Sequence, residues 1–333
     1  VVTPITSDTP DSIVLEQFEK YYGQKSPFGT VRVSFFPNEN ALIKEKSKFN
    51  VMPKVYGVNL EEIQNDNRFE ILSYQLPQYT AVFFNLDHPQ LTKDSYRTMI
   101  MRAIDKNKLA ELVTDVKAID TIEFRRQPEN SRNQYDPAAA AKIVQDLGYR
   151  KGDDLIARNS KGEALSFTLL AREFSEKSVA EERTALTVNF LKTSLQEIGI
   201  ELNVQRESNE NFVERLRKRE YDMVLAGHSI GYNNDTFAFW HSTQGNENGL
   251  NFSQLKSFRV DSLLEDLRLI FDWERKRARL NELENLIQEN APALFLYTPS
   301  YHFVKEKRLS GIQTENFAFE SDRFANFHLV TAE

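Results

Sequence analysis

Gly227-His228-Ser229-Ile230-Gly231 has the residue types and spacing of a nucleophile elbow, in which a serine stands on a strained turn between strand and helix. Ser229 would attack an acyl carbon once a histidine took its proton, and a carboxylate would orient that histidine. In the chain order Ser, Asp, His, the sequence offers Asp272 with His302, or Asp322 with His328. Two features weigh against this serine-hydrolase alternative. No His-Gly-Gly-Gly segment precedes Ser229 to supply oxyanion donors. An elbow must also run directly into a helix, whereas Asn233-Asn234-Asp235 and Gly245-Asn246-Glu247-Asn248-Gly249 are turn formers. Read as an extended loop with Tyr232, Phe237, Phe239 and Trp240 embedded in it, the stretch resembles the wall of a ligand cleft.

Other chemistries find less support. The five histidines, His88, His228, His241, His302 and His328, are scattered, with no H-E-x-x-H and no pair at i,i+4, so no metal site is expected. Zero cysteines exclude disulfides, Cys-ligated zinc and thiol catalysis. There is no glycine-rich phosphate loop, and no cofactor is expected. A net charge of -7 argues against a nucleic-acid surface. The clusters Arg215-Leu216-Arg217-Lys218-Arg219 and Arg275-Lys276-Arg277 sit among acidic residues and read as solvated helix faces. No apolar stretch reaches the roughly 20 residues that span a bilayer. The start, Val1-Val2-Thr3-Pro4, has neither a basic n-region nor an apolar h-region, so either the protein is cytosolic or its start has been removed.

The elements that must position these residues are mixed α/β. Ile13 to Phe18 and Thr30 to Phe36 read as strands around the turn-like 23–29, with short helices at Asn40 to Ser47 and Leu60 to Asn65. Phe69 to Leu76 and Thr80 to Leu86 read as strands, and Tyr96 to Leu112 as one helix on the spacing of Met99, Ile100, Ala103 and Ile104. Asp136-Pro137 opens a helix that Gly148 stops. Leu155 to Arg158 and Leu165 to Ala171 form an expected hairpin. From Leu165 to Ala226 strands alternate with helices (180–198 and 211–219), which implies crossover connections and a partly parallel sheet. Helices around Val260 to Ile270 and Asp272 to Gln288 follow, then strands at Leu294 to Tyr297 and His302 to Lys305.

An ordered set of segments now carries a resemblance. It runs from Phe84-Asn85-Leu86 before Pro89, through Arg97 to Asp105-Lys106, to Tyr135-Asp136-Pro137-Ala138-Ala139-Ala140-Ala141 ending in Leu147-Gly148-Tyr149. Leu191 to Ile200, Tyr221-Asp222 and the loop reaching Asn251-Phe252-Ser253 come next. Arg277 to Glu289, Ala291-Pro292-Ala293-Leu294-Phe295-Leu296-Tyr297 and Gly311-Ile312 complete it. No piece is specific alone; the ordered set resembles the bacterial extracellular solute-binding proteins of family 5, which deliver oligopeptides, dipeptides or nickel to ABC importers.

The resemblance implies an α/β, periplasmic-binding-protein-like fold of type II (cluster C), with a large lobe II and an incomplete lobe I. Residues 1–88 and 299–333 would belong to lobe I and 89–298 to lobe II, with hinge crossings near Phe84 to Pro89 and Leu296 to His302. It implies that the chain is the C-terminal portion of a longer protein whose export signal and lipid-anchor cysteine lie upstream, and a periplasmic or cell-surface location. It implies a non-catalytic monomer that encloses a peptide by hinge bending and hands it to permease subunits, with no nucleic-acid partner and no membrane contact beyond that anchor. Tyr232, Asn233, Asp235, Phe239, Trp240, Asn251, Tyr79 and Asn85 are the expected ligand-binding residues. An acidic side chain would meet the peptide's ammonium. An ungapped comparison puts Gly231 at that acid's place, and Asp235 at the family's Asp-Pro step. Each residue has a plainer alternative: Asp235 as a turn former, Phe239 and Trp240 as anchors on the core, Asn251 as a turn residue, Tyr79 and Asn85 as strand packing. A nickel chelate as ligand, and a scaffold or sensor that no longer transports, stay open beside peptide capture.

Overall fold

The computed structural model describes residues 12–122, 134–174, 178–232, 235–315 and 317–333. The chain divides into two compact units, Val1–Leu76 with Ser300–Glu333, and Pro77–Pro299. In the first, β1 (Ser12–Glu16) and β2 (Thr30–Ser34) form an antiparallel hairpin with Ser12 opposite Ser34. Helix α1 (Glu39–Lys44) starts at Asn38, whose side chain accepts from the Ala41 amide at 3.0 Å. β3 (Val51–Met52), α2 (Val58–Gln64) and β4 (Phe69–Gln75) follow.

The second unit is built on a sheet whose central members are set by apolar, β-branched and aromatic runs. In chain order it comprises β5 (Gln78–Phe84), α3 (Asp94–Arg102), α4 (Lys106–Val113), β6 (Val116–Ala118), α5 (Pro137–Asp146), β7 (Arg150–Lys151), β8 (Ala157–Arg158) and β9 (Ser166–Arg172). Then come α6 (Val179–Glu197), β10 (Glu201–Glu207), α7 (Asn209–Lys218), β11 (Met223–Ser229), α8 (Phe237–Trp240), α9 (Phe258–Leu269), α10 (Trp273–Asn290) and β12 (Ala293–Glu306). The strand order is β10-β9-β11-β5-β12. β9 runs parallel to both β10 and β11, as the helical crossovers α6 and α7 require. β5 is antiparallel to β11 and to the start of β12. The division between units falls ahead of residue 88 because β5 is a central strand of this sheet.

Alternation splits the sheet into two buried faces. Val82 and Phe84 of β5, with Met223 and Leu225 of β11, pack under α3 to α6. Tyr79, Ala81 and Phe83, with Val224 and Phe295, pack under Leu263, Leu264, Leu283, Leu286 and Ile287 of α9 and α10. Each such leucine contributes about 1.5–3 kcal/mol by leaving water.

Beyond residue 299 the chain returns to the first unit. There Ser300 to Glu306 of β12 pair antiparallel with β4, from Ser300 opposite Gln75 to Glu306 opposite Phe69, and with β3 through Val304 and Met52. Ile43, Met52, Ile63, Phe69 and Val304 form one core cluster there. β13 (Leu309–Ser310) pairs with β14 (Thr331–Ala332).

Three expected elements differ. The helix over Tyr96 to Leu112 is broken into α3 and α4, because the Asp105 carboxylate accepts from the Asn107 and Lys108 amides and starts a new helix. The hairpin of 155–158 with 165–171 is reduced to a bridge between Arg158 and Ala164, since β8 pairs with β7 and β9 with β10 and β11. The two strands expected at 294–297 and 302–305 are one strand, β12, which carries Pro299 opposite Val116 of β6.

Candidate functional site

β11 ends at the motif that suggested a nucleophile. Its period of two carries Val224, Ala226 and His228 to the face under α9 and α10, while Gly227 and Ser229 are exposed. His228 is buried among aromatic rings, stacked on Phe239 at 4.0 Å and 14°, with Phe83 and Phe252 each 4.8 Å away. Its Nδ1 lies 2.9 Å from the Tyr79 hydroxyl. Burial pulls the ring's pKa down to about 3, so it stays neutral. Burial likewise raises the Tyr79 hydroxyl well above the usual tyrosine range. A ring so reluctant to take a proton is a poor general base.

The rest of the elbow is not assembled. After Ser229 the Ile230 amide donates to the Pro77 carbonyl at 2.7 Å, Gly231 turns at φ +77, and α8 starts only at Phe237. Asp272 accepts from the Arg275 amide at 2.8 Å and so caps α10. Asp322 accepts from the Ala318 and Phe319 amides, each at 2.8 Å. Both candidate orienting carboxylates are engaged with backbone. His302 Nδ1 lies 2.8 Å from the Ser73 hydroxyl.

The loop between β11 and α8 carries the expected ligand contacts. Tyr232 stands on it 61% exposed. Asn233 lies outside the described residues. Asp235 lies just ahead of α8, where its Oδ1 accepts from the Phe237 amide at 3.0 Å. Its Oδ2 accepts from Arg268 Nε at 2.9 Å and Nη2 at 2.7 Å. Burial works to raise this carboxyl, but the Arg268 and Phe237 bonds outweigh it and hold the pKa below the usual aspartate range. The Arg268 guanidinium also lies 4.0 Å over the Phe237 ring, and the His241 ring stacks on Phe237 at 4.1 Å and 18°.

Beneath the loop the expected residues converge on the core. Tyr79, Phe239 and Trp240 share one buried cluster with Phe83, Phe252 and Phe295. Asn251 is fully buried: its Nδ2 donates to the His241 carbonyl at 3.2 Å and the Leu255 carbonyl at 3.0 Å, and its Oδ1 accepts from the Leu255 amide at 3.1 Å. Asn85 follows the far end of β5 from Tyr79, where Nδ2 donates to the Tyr221 carbonyl at 3.0 Å and Oδ1 accepts from Gln254 Nε2 at 2.7 Å. Sequence reasoning missed Arg268, whose role is set by a partner 33 residues away. It also missed the buried place of His228, although the alternation Val224, Ala226, His228 carried the signal.

A depression of about 490 Å³ at the α9–α10 corner, lined in part by Leu269, Phe271, Arg275 and Arg279, includes none of the expected residues. Among the described residues no group of three or more His, Asp and Glu could hold a metal ion, and no helix is long and apolar enough to cross a membrane.

Comparison with known proteins fits this architecture. The chain is 22% identical over 312 residues to the oligopeptide-binding protein AppA of Bacillus subtilis, covering 90% of this chain and 56% of that protein. It thus spans about half the length of that curated relative. The solved structure of B. subtilis AppA in complex with a nonapeptide superposes with a TM-score of 0.72 at 20% identity, over 100% of this chain and 66% of that one. NikZ from Campylobacter jejuni in complex with Ni(L-His) gives 0.73 at 22%, over 97% and 66%. NikA from Brucella suis in complex with Fe(III)-EDTA gives 0.78 at 17%, over 100% and 68%. The fold is therefore the type II periplasmic-binding-protein-like α/β fold. Residues 5–249 match the family described as bacterial extracellular solute-binding proteins, family 5 Middle. The chain belongs to the bacterial extracellular solute-binding proteins of family 5.

Proposed function

We propose that this chain is the solute-binding component of an ABC importer, that it captures peptides outside the cytoplasmic membrane, and that it passes them to membrane permease subunits. The observation that carries this reading is the family match over residues 5–249, joined to the likeness to a peptide-bound AppA. Binding rather than catalysis is supported by the family and by the neutral, buried His228 beside an exposed Ser229. The 77–299 unit corresponds to lobe II and the other unit to lobe I. Tyr232 and Asn233 meet the solute. Tyr79, Phe239, Trp240 and Asn251 hold that loop from the core, and Asn85 fixes the far end of β5. Peptide affinity comes from backbone hydrogen bonds and desolvation of side chains, with breadth from permissive pockets.

Likeness to NikZ and NikA favours a second reading, capture of a metal chelate. Calorimetric titration separates the two. Saturable heat with a mixture of tetrapeptides, absent with Ni(II)–histidine, supports peptide capture; heat with the chelate alone replaces it.

A further inference from the structure

A peptide's ammonium is held by a carboxylate that has lone pairs to spare and a net negative field. Asp235 is the acid that the loop after β11 offers, and most of its acceptor sites are already engaged. Oδ1 takes the Phe237 amide and Oδ2 takes two Arg268 donors, three of the about four acceptor sites a carboxylate has. Arg268 cancels its charge, and Lys276 adds further positive field at the same group. An arriving ammonium meets a neutral pair with a cation beside it.

Displacing Arg268 would undo more than one ion pair. Its guanidinium packs on Phe237, Phe237 packs on His241, and His241 is held by Thr243 Oγ1 at 2.8 Å and Glu265 at 3.3 Å. The same Phe237 supplies the amide that Asp235 Oδ1 accepts. Carboxylate, guanidinium, phenyl and imidazole therefore form one closed chain of contacts linking the end of α9 to the start of α8.

We propose that Asp235, Arg268, Phe237 and His241 are a clasp that fixes the loop, and that this internal use removes Asp235 as a reader of the amino terminus. The solutes taken are peptides irrespective of a free terminal amine, N-blocked peptides included; this substrate class rests on the peptide reading above. Asp235 and Arg268 are positioning residues.

Two measurements test it. Calorimetry compares a tetrapeptide mixture with its N-acetylated counterpart; the expected Kd values agree within about threefold, and a preference of about tenfold or more for the free amine overturns the proposal. Amide hydrogen exchange at Phe237 is followed in the intact chain and in Asp235→Ala, Arg268→Ala and the milder Arg268→Lys. Exchange about tenfold faster in the alanine variants, with Arg268→Lys between, supports the clasp, and unchanged exchange overturns it. If neither mixture binds, peptide capture falls while the exchange data still decide the clasp.

Discussion

His228 gives the sharpest test of the site's electrostatics. Folding buries the imidazole among Phe83, Phe239 and Phe252 and lowers its pKa from 6.5 to about 3. Below pH 6.5 the unfolded chain takes a proton that the folded chain refuses, so acid favours unfolding and stability rises with pH across that window. From pH 7.5 to pH 5.0 the loss from this residue is about 1.5 pH steps at about 1.36 kcal/mol each, or about 2 kcal/mol. Urea unfolding at the two pH values, followed by the fluorescence of Trp240, which is wholly buried in the same cluster, measures the wild type and His228→Phe. The substitution removes the His228 partner of the Tyr79 hydroxyl at every pH, so that cost cancels when each protein is compared with itself. The wild type is expected to lose about 2 kcal/mol more than the variant on acidification. Equal losses in the two proteins would refute a neutral, desolvated His228.

Other substitutions probe how the unit around the loop is held. Arg97 is buried and donates to the carbonyls of Leu91, Thr92, Asn290 and Ala291; Arg97→Met should cost about 3–5 kcal/mol in urea unfolding by stranding them. Asn251→Ala removes three hydrogen bonds from a fully buried site; a loss of about 2–3 kcal/mol is expected in thermal unfolding. A Cβ on Gly249 would overlap the Gln244 carbonyl oxygen, to which the Asn251 amide donates. Gly249→Ala is expected to cost about 1–3 kcal/mol by chemical unfolding, since backbone rather than a flexible side-chain end must move. Ser229→Ala, at an exposed strand end, is expected to change stability by less than about 0.5 kcal/mol.

Much of the fold is readable from local chemistry. Asp136 followed by Pro137 caps and opens α5, with its carboxylate 2.8 Å from the Ala139 amide. The alternation from β9 through α6, β10 and α7 to β11 follows from switches in apolar period. What failed was decided by groups that periodicity weighs wrongly. Asp105 falls within an unbroken apolar repeat, yet its side chain outcompetes the helix for two amides. Residues 298–301 fall between two expected strands, yet β12 runs through them, Pro299 included. Around the loop, Tyr232 and Asp235 precede α8, whereas Phe239 and Trp240 lie on it and are buried. No local pattern states that, because contacts from α9, α10 and β5 decide it. Arg268 gives no hint from its own neighbours of the aspartate it clasps.

The division of the chain bears on how it folds. The 77–299 unit is one unbroken stretch, whereas the other unit is made from both ends of the chain. Within the unbroken stretch Thr80 pairs with Tyr297, so its entry and exit leave the sheet side by side. Its collapse closes the long loop that separates β4 from the residues of β12 that complete their ladder, and removes most of the entropy that pairing must otherwise supply. Assembly of the two-segment unit is thereby favoured once the single-stretch unit has formed. Stopped-flow refolding of Arg97→Met, a change confined to the inner stretch, should delay the β4–β12 pairing although no residue of that ladder has been altered.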